Sequence, residues 1–192
     1  MNHCENLPPD LRRAAETLEA RLSVLNAPAY KIPLSEWGAL DSTIRNLVPS
    51  WLVSLLSNYS IAGVVLEFEN HVEKQTWPVG FGMFLPVTFR QNFQSESLYL
   101  DLLRFGFIPF ASESDGNVWV ATVNDGPSGN IYLLEFSAWS GAMPHKDNGL
   151  IYAHRNLACV LSCMAVSNET FELRGGMCMW QPVRNKKDVN AP

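Results

Sequence analysis

The hydrophobic period of the chain changes near residue 60, and this change limits the folds available to it. Before that point apolar residues recur every three or four positions, which predicts helices over 9–25, 41–47 and 49–58. After it, apolar residues alternate or run in short β-branched stretches between turn residues, which predicts strands. Helices, then consecutive strands, then a helix describe an α+β domain: a mainly antiparallel β-sheet with N-terminal helices and a C-terminal helix packed on it.

The strands are predicted from apolar runs that turn residues separate. Pro86 restricts the end of one run to an edge or a terminus, because proline cannot donate to a ladder. Residues 70–76 are predicted to form a polar loop, and helices are expected at 95–104 and 156–166. The predicted strands are 61–68, 80–89, 107–111, 117–123, 130–136 and 150–152.

Length and composition fit one domain with appended segments. The 192 residues are 47% hydrophobic, which is enough to bury a substantial core. We expect an N-terminal helical extension over 1–39, an α+β domain over 40–182 and a flexible tail over 183–192.

The charge balance restricts the partners that the chain can bind. A net charge of −5 and a pI near 5.3 argue against nucleic acid, which attracts basic surfaces, and favour a basic protein partner. No apolar run approaches the roughly 20 residues that cross a bilayer, and we see no secretory signal, so a cytoplasmic protein is expected. In that compartment its cysteines would be reduced thiols, and they are Cys4, Cys159, Cys163 and Cys178.

No recognisable catalytic motif occurs in the chain. His145 with Asp147 is the nearest approach to an acid–base pair, but solvated loop histidines are the simpler interpretation for these and for His154. A cleft that gathered His145, Asp147 and Cys178 would revive an enzymatic alternative. The C-x-x-C spacing of a zinc knuckle is absent from the cysteines. The glutamates near residue 70 share a strand face, which is compatible with metal ligation but equally with an exposed face. We therefore expect no enzyme, no cofactor and no metal.

Three segments resemble the SUKH superfamily, also called the Smi/Knr family. The clearest is GFIPFASESDGN over 106–117, an apolar strand that ends in an Asp/Gly turn, followed by Trp119 and Val120 in the next strand. Upstream, VPSWLVSLLSN over 48–58 is similar to a helix of that family, and downstream GLIYAH over 149–154 is similar to a later strand. The similarity covers about residues 40–168, with the three segments in the family's order.

The resemblance implies protein binding rather than catalysis. Bacterial members are regarded as immunity proteins that bind and neutralise a cognate polymorphic toxin, often a nuclease or a deaminase, while fungal members act as regulatory interaction proteins. The expected function is thus a toxin-neutralising immunity protein whose acidic, aromatic surface covers a basic cleft. The alternative is a regulatory or scaffold protein of the same fold, with a homodimer as one form of it.

Candidate partner contacts come from three loops, because loops carry a large share of binding residues. The loops are 70–77, 113–117 and 137–148. Aromatic anchors ringed by acidic groups are typical of interface hot spots. The candidate residues are Glu73, Trp77, Glu113, Asp115, Trp139, His145 and Asp147.

Overall fold

The computed structural model describes residues 7–64, 66–72, 75–93, 98–113 and 116–166, with the backbone alone described for 67–80 and for 165–166. The helices are α1 (Pro9–Val24), α2 (Leu34–Gly38), α3 (Ser42–Leu47), α4 (Ser50–Asn58), α5 (Pro86–Asn92), α6 (Leu98–Arg104) and α7 (Leu157–Cys163). The strands are β1 (Leu66–Val72), β2 (Gln75–Met83), β3 (Phe107–Glu113), β4 (Val118–Thr122), β5 (Ile131–Leu134), β6 (Leu150–His154) and β7 (Ala165–Val166).

The described strands form one antiparallel sheet in the order β6-β5-β4-β3-β2-β1-β7. Strands β1 to β6 therefore follow one another across the sheet in chain order, and β7 returns to pair with β1. The α+β class with an antiparallel sheet and a C-terminal helix, as expected from the hydrophobic periods, is confirmed. No helix in the described part of the chain has the length and hydropathy needed to cross a bilayer.

The helix α1 belongs to the core of the domain. Its stripe of Leu11, Ala15, Leu18 and Leu22 is buried in the same apolar cluster as the sheet residues, as the three- and four-residue spacing requires. The guanidinium of Arg21 also donates through Nη1 and Nη2 to the Met164 carbonyl, at 3.1 Å each. The helical part of the N-terminal extension thus packs on α7. Residues 183–192 lie outside the described part of the chain.

Aromatic pairs join the helices to the sheet. Trp51 of α4 meets Phe110 of β3 edge-on, with ring centroids 5.7 Å apart, and Phe81 of β2 meets Trp119 of β4 in the same way at 5.5 Å. Edge-to-face pairs add about 1 kcal/mol each to the free energy of burying the rings. These contacts lie on β3 and on its two neighbours β2 and β4, near the centre of the sheet.

Several of the predicted elements are wrong in part. The strand predicted over 61–68 begins at Leu66, and the helix predicted over 156–166 ends at Cys163, before β7. The strand predicted over 80–89 ends at Met83, because Pro86 begins α5 and the Leu85 N–H donates to Thr88 Oγ1 at 3.3 Å; proline favours the first turn of a helix. The polar loop predicted over 70–76 is a hairpin instead, in which β1 and β2 pair as far as Val72 and Gln75.

The cysteines also depart from expectation. Cys163 is disulfide-bonded, whereas four reduced thiols were expected. Cys159 is free, and Cys4 and Cys178 lie outside the described residues. No group of three metal-binding side chains occurs among the residues that the structure describes.

Candidate protein-binding surface

The four candidate contact residues whose side chains the structure describes do not form one surface. His145 and Asp147 are exposed, whereas Glu113 and Trp139 are buried. The remaining three fall outside what the structure describes: Glu73 and Asp115 entirely, and the side chain of Trp77 in β2.

Glu113 is a structural residue in this conformation, which corrects its assignment as a partner contact. Its side chain is only 6% exposed. One carboxylate oxygen accepts from Trp119 Nε1 and the other from Asn117 Nδ2, both at 3.1 Å. A buried carboxylate needs such donors to replace its lost hydration. Glu113 therefore closes the β3–β4 turn and satisfies the indole of a core tryptophan.

Trp139 is likewise unavailable as a contact, because 93% of its surface is covered and only 7% is exposed. Its ring packs against Phe136 at a centroid distance of 5.6 Å, and Nε1 donates to the Ala142 carbonyl at 2.6 Å. A buried tryptophan with its indole N–H paired holds the backbone around it. Trp139 thus anchors the segment 137–149, which we name the anchored loop.

A second set of bonds fixes the far half of the anchored loop. Asn148 Nδ2 donates to the Met143 carbonyl at 2.9 Å, and Asn148 Oδ1 accepts from the His145 N–H. His145 in turn caps a short 3₁₀ turn, since its Nδ1 accepts from the Asp147 N–H at 3.2 Å. Gly149 then leaves the loop with φ +95°, where a Cβ would lie 2.8 Å from the Glu135 carbonyl.

The anchored loop presents an apolar side chain beside charged ones. Met143 is 61% exposed, and His145, Lys146 and Asp147 are exposed next to it. Methionine adapts its shape to a partner, which makes it frequent on binding surfaces. A backbone that is already ordered also loses less entropy when it binds. The loop has the properties of a pre-ordered contact surface.

The His145–Asp147 pair does not form an acid–base centre here. The Asp147 carboxylate lies 3.8 Å from His145 Nδ1, beyond hydrogen-bonding distance. The Nδ1 lone pair is instead occupied by a backbone N–H. Both side chains face solvent, and the third member of the enzymatic alternative, Cys178, lies outside the described residues.

His154 differs from the solvated loop histidine that was expected. It is the last residue of β6, is 8% exposed and stacks on Trp119 with an interplanar angle of 17°. Burial lowers the pKa of His154 to about 4, because the imidazolium form would lose its hydration. The similarity of GLIYAH over 149–154 to a strand is the sequence signal that could have placed His154 in a strand.

No family model, curated protein or solved structure matches this chain. The resemblance to the SUKH superfamily therefore depends on the three sequence segments alone. In the structure, the segment 48–58 contains α4, 106–117 contains β3 with its turn, and 149–154 contains β6.

Proposed function

We propose that the protein is a non-catalytic protein-binding module, and specifically an immunity protein that binds and neutralises a cognate toxin. The observation that carries the proposal is the anchored loop, in which an exposed Met143 is held by the Trp139 and Asn148 hydrogen bonds. The resemblance to the SUKH superfamily supports the toxin as the class of partner.

The net charge of the chain indicates the charge of its partner. A chain of charge −5 associates fastest with a basic protein, and added salt slows that association. A basic nuclease or deaminase cleft has the complementary charge. Met143 would supply the apolar centre of the contact and Asp147 a charge at its rim, which is the usual arrangement of interfaces.

The size of the Met143 contribution can be estimated. Complete burial of a methionine side chain is worth about 1.5–3 kcal/mol, and Met143 has 61% of its surface left to bury. Its burial would stabilise a complex by roughly 1–2 kcal/mol, which corresponds to about 5- to 30-fold in Kd. A glutamate at the same position would also have to be desolvated, so the loss should be larger.

The test begins with capture from lysate of the source organism at about 50 and 300 mM salt. A captured protein is then expressed alone in a bacterial host, and with this chain. The proposal predicts that it is basic, that it stops growth alone and that co-expression restores growth. Recovery of the chain itself and nothing else would contradict immunity and favour a self-associating regulatory protein.

Two variants test whether the partner contacts the anchored loop. We expect Met143→Glu to weaken capture and rescue, while Val24→Glu retains both, because Val24 is 81% exposed at the end of α1 and is not part of the anchored loop. Equal rescue by the two variants would exclude the anchored loop as the contact surface.

A further inference from the structure

A groove lies between α1 and α7, where these two helices pack together. Its volume is about 400 Å³, which falls within the range of small-molecule sites. Ala14, Leu18, Ala158 and Leu161 form its floor and are buried. The floor is therefore apolar, and the polar groups of the groove are at its rim.

The rim carries positive charge in an acidic protein. Arg13 and Arg21 of α1 and Arg155 before α7 line the groove, and Asp10 is the one carboxylate among the lining residues. The formal charge of the lining is thus +2, against −5 for the whole chain. Positive charges that are brought together in this way attract an anion.

Hydrogen bonds hold the charged groups in place. Arg155 Nε donates to Cys159 Sγ at 3.1 Å, and none of the described residues takes its Nη donors. Across the groove, the Asp10 carboxylate accepts from the Leu11 N–H at 2.9 Å and from Asn156 Nδ2 at 3.1 Å. The carboxylate is therefore occupied, whereas the Nη groups of Arg155 can meet a ligand.

We propose that this groove binds a small phosphomonoester with an aromatic or apolar body. A phosphomonoester carries about −1.5 to −2 charges at pH 7, and the exposed Arg13 and Arg155 on the two sides of the groove can both meet it. Arginine forks pair with phosphate through two parallel hydrogen bonds. The exposed methylene stems of Arg13 and Arg155 can cover the body of such a ligand. The groove shares no residue with the anchored loop, so the proposal is independent of toxin binding.

Titration calorimetry of the full chain with phenyl phosphate, at about 50 mM salt, tests the proposal. We expect a Kd below about 1 mM, with weaker binding of inorganic phosphate, which lacks the body, and none of phenol, which lacks the charge. Arg13→Gln and Arg155→Gln should each weaken binding by about tenfold or more. Arg12→Gln is the matched control, because Arg12 is exposed on the same helix but does not line the groove.

Alkylation of Cys159 by iodoacetamide, followed by peptide mass spectrometry, places the ligand. Cys159 lines the groove, so phenyl phosphate should slow its alkylation in the native chain and in Arg12→Gln, but not in Arg13→Gln. Absence of heat and of protection up to about 10 mM ligand would overturn the proposal, as would equal losses in the Arg12 and Arg13 variants. Displacement of phenyl phosphate by a tighter-binding acidic peptide would overturn it in favour of a protein ligand.

Discussion

The buried histidine of β6 predicts a specific loss of stability in mild acid. The pKa of His154 is lowered to about 4 in the folded protein, whereas a histidine in an unfolded chain titrates near 6.5. Between these values the unfolded state takes up a proton that the folded state does not. The free energy of unfolding is therefore undiminished above about pH 7 and falls as the pH falls toward 4.

The magnitude follows from the difference between the two pKa values. A difference of about 2.5 corresponds to about 3 kcal/mol in total, of which about 2 kcal/mol is lost between pH 7 and pH 5. This is a large share of the 5–15 kcal/mol that stabilises an ordinary domain. Because carboxylates also titrate in acid, the His154 contribution has to be isolated by comparison with variants.

Urea unfolding at pH 7 and pH 5, followed by tryptophan fluorescence, makes that comparison. His154→Phe can keep the stack on Trp119 and His154→Leu cannot, yet neither titrates. Both variants should lose about 2 kcal/mol less than the native chain between the two pH values, even if their stabilities at pH 7 differ. An identical pH dependence in all three proteins would refute the assignment of His154 as a buried neutral imidazole.

Three further substitutions test the contacts that form the core and the anchored loop. Glu113→Ala should lower the free energy of unfolding by about 2–3 kcal/mol, because it removes the carboxylate that accepts from the buried Trp119 Nε1. Glu113→Gln, which keeps an acceptor oxygen, should lose less, and the reverse order would contradict the hydrogen bond. Gly149→Ala should lower the free energy of unfolding by about 1–3 kcal/mol in the same urea assay, since the φ of Gly149 is +95°. Gly38→Ala, with open space around the new methyl group, should leave it unchanged. Equal effects of the two substitutions would argue against a constrained backbone at the end of the anchored loop. Phe110→Ala should lose about 3–5 kcal/mol from the centre of the sheet, and a loss below 1 kcal/mol would exclude its packing there.

The elements that sequence predicted well are those with local signals at both ends. For α1, Pro9 and Asp10 mark the start, the leucine stripe marks the buried face and Pro28 follows the end. Helix α5 was missed because the alternation of β2 continues past Met83 through apolar residues, which outweighed Pro86 as a helix start.

The sequence located the loop of the candidate site but not the contacts that hold it. Polar and turn residues marked 137–148 as a loop, which the structure confirms apart from one short 3₁₀ turn. What holds that loop depends on tertiary contacts, such as the Trp139 bond to the Ala142 carbonyl, and sequence does not show these. The sequence could not predict the groove between α1 and α7 for the same reason, since Arg13 and Arg155 are 142 positions apart in the chain.

Hydrogen exchange of the full chain, alone and bound to its captured partner, tests the anchored loop as the contact surface. We expect backbone amides of residues 142–148 to exchange more slowly in the complex, because the partner covers Met143 and its exposed neighbours. Protection confined to other surfaces, with unchanged exchange across the anchored loop, would contradict it.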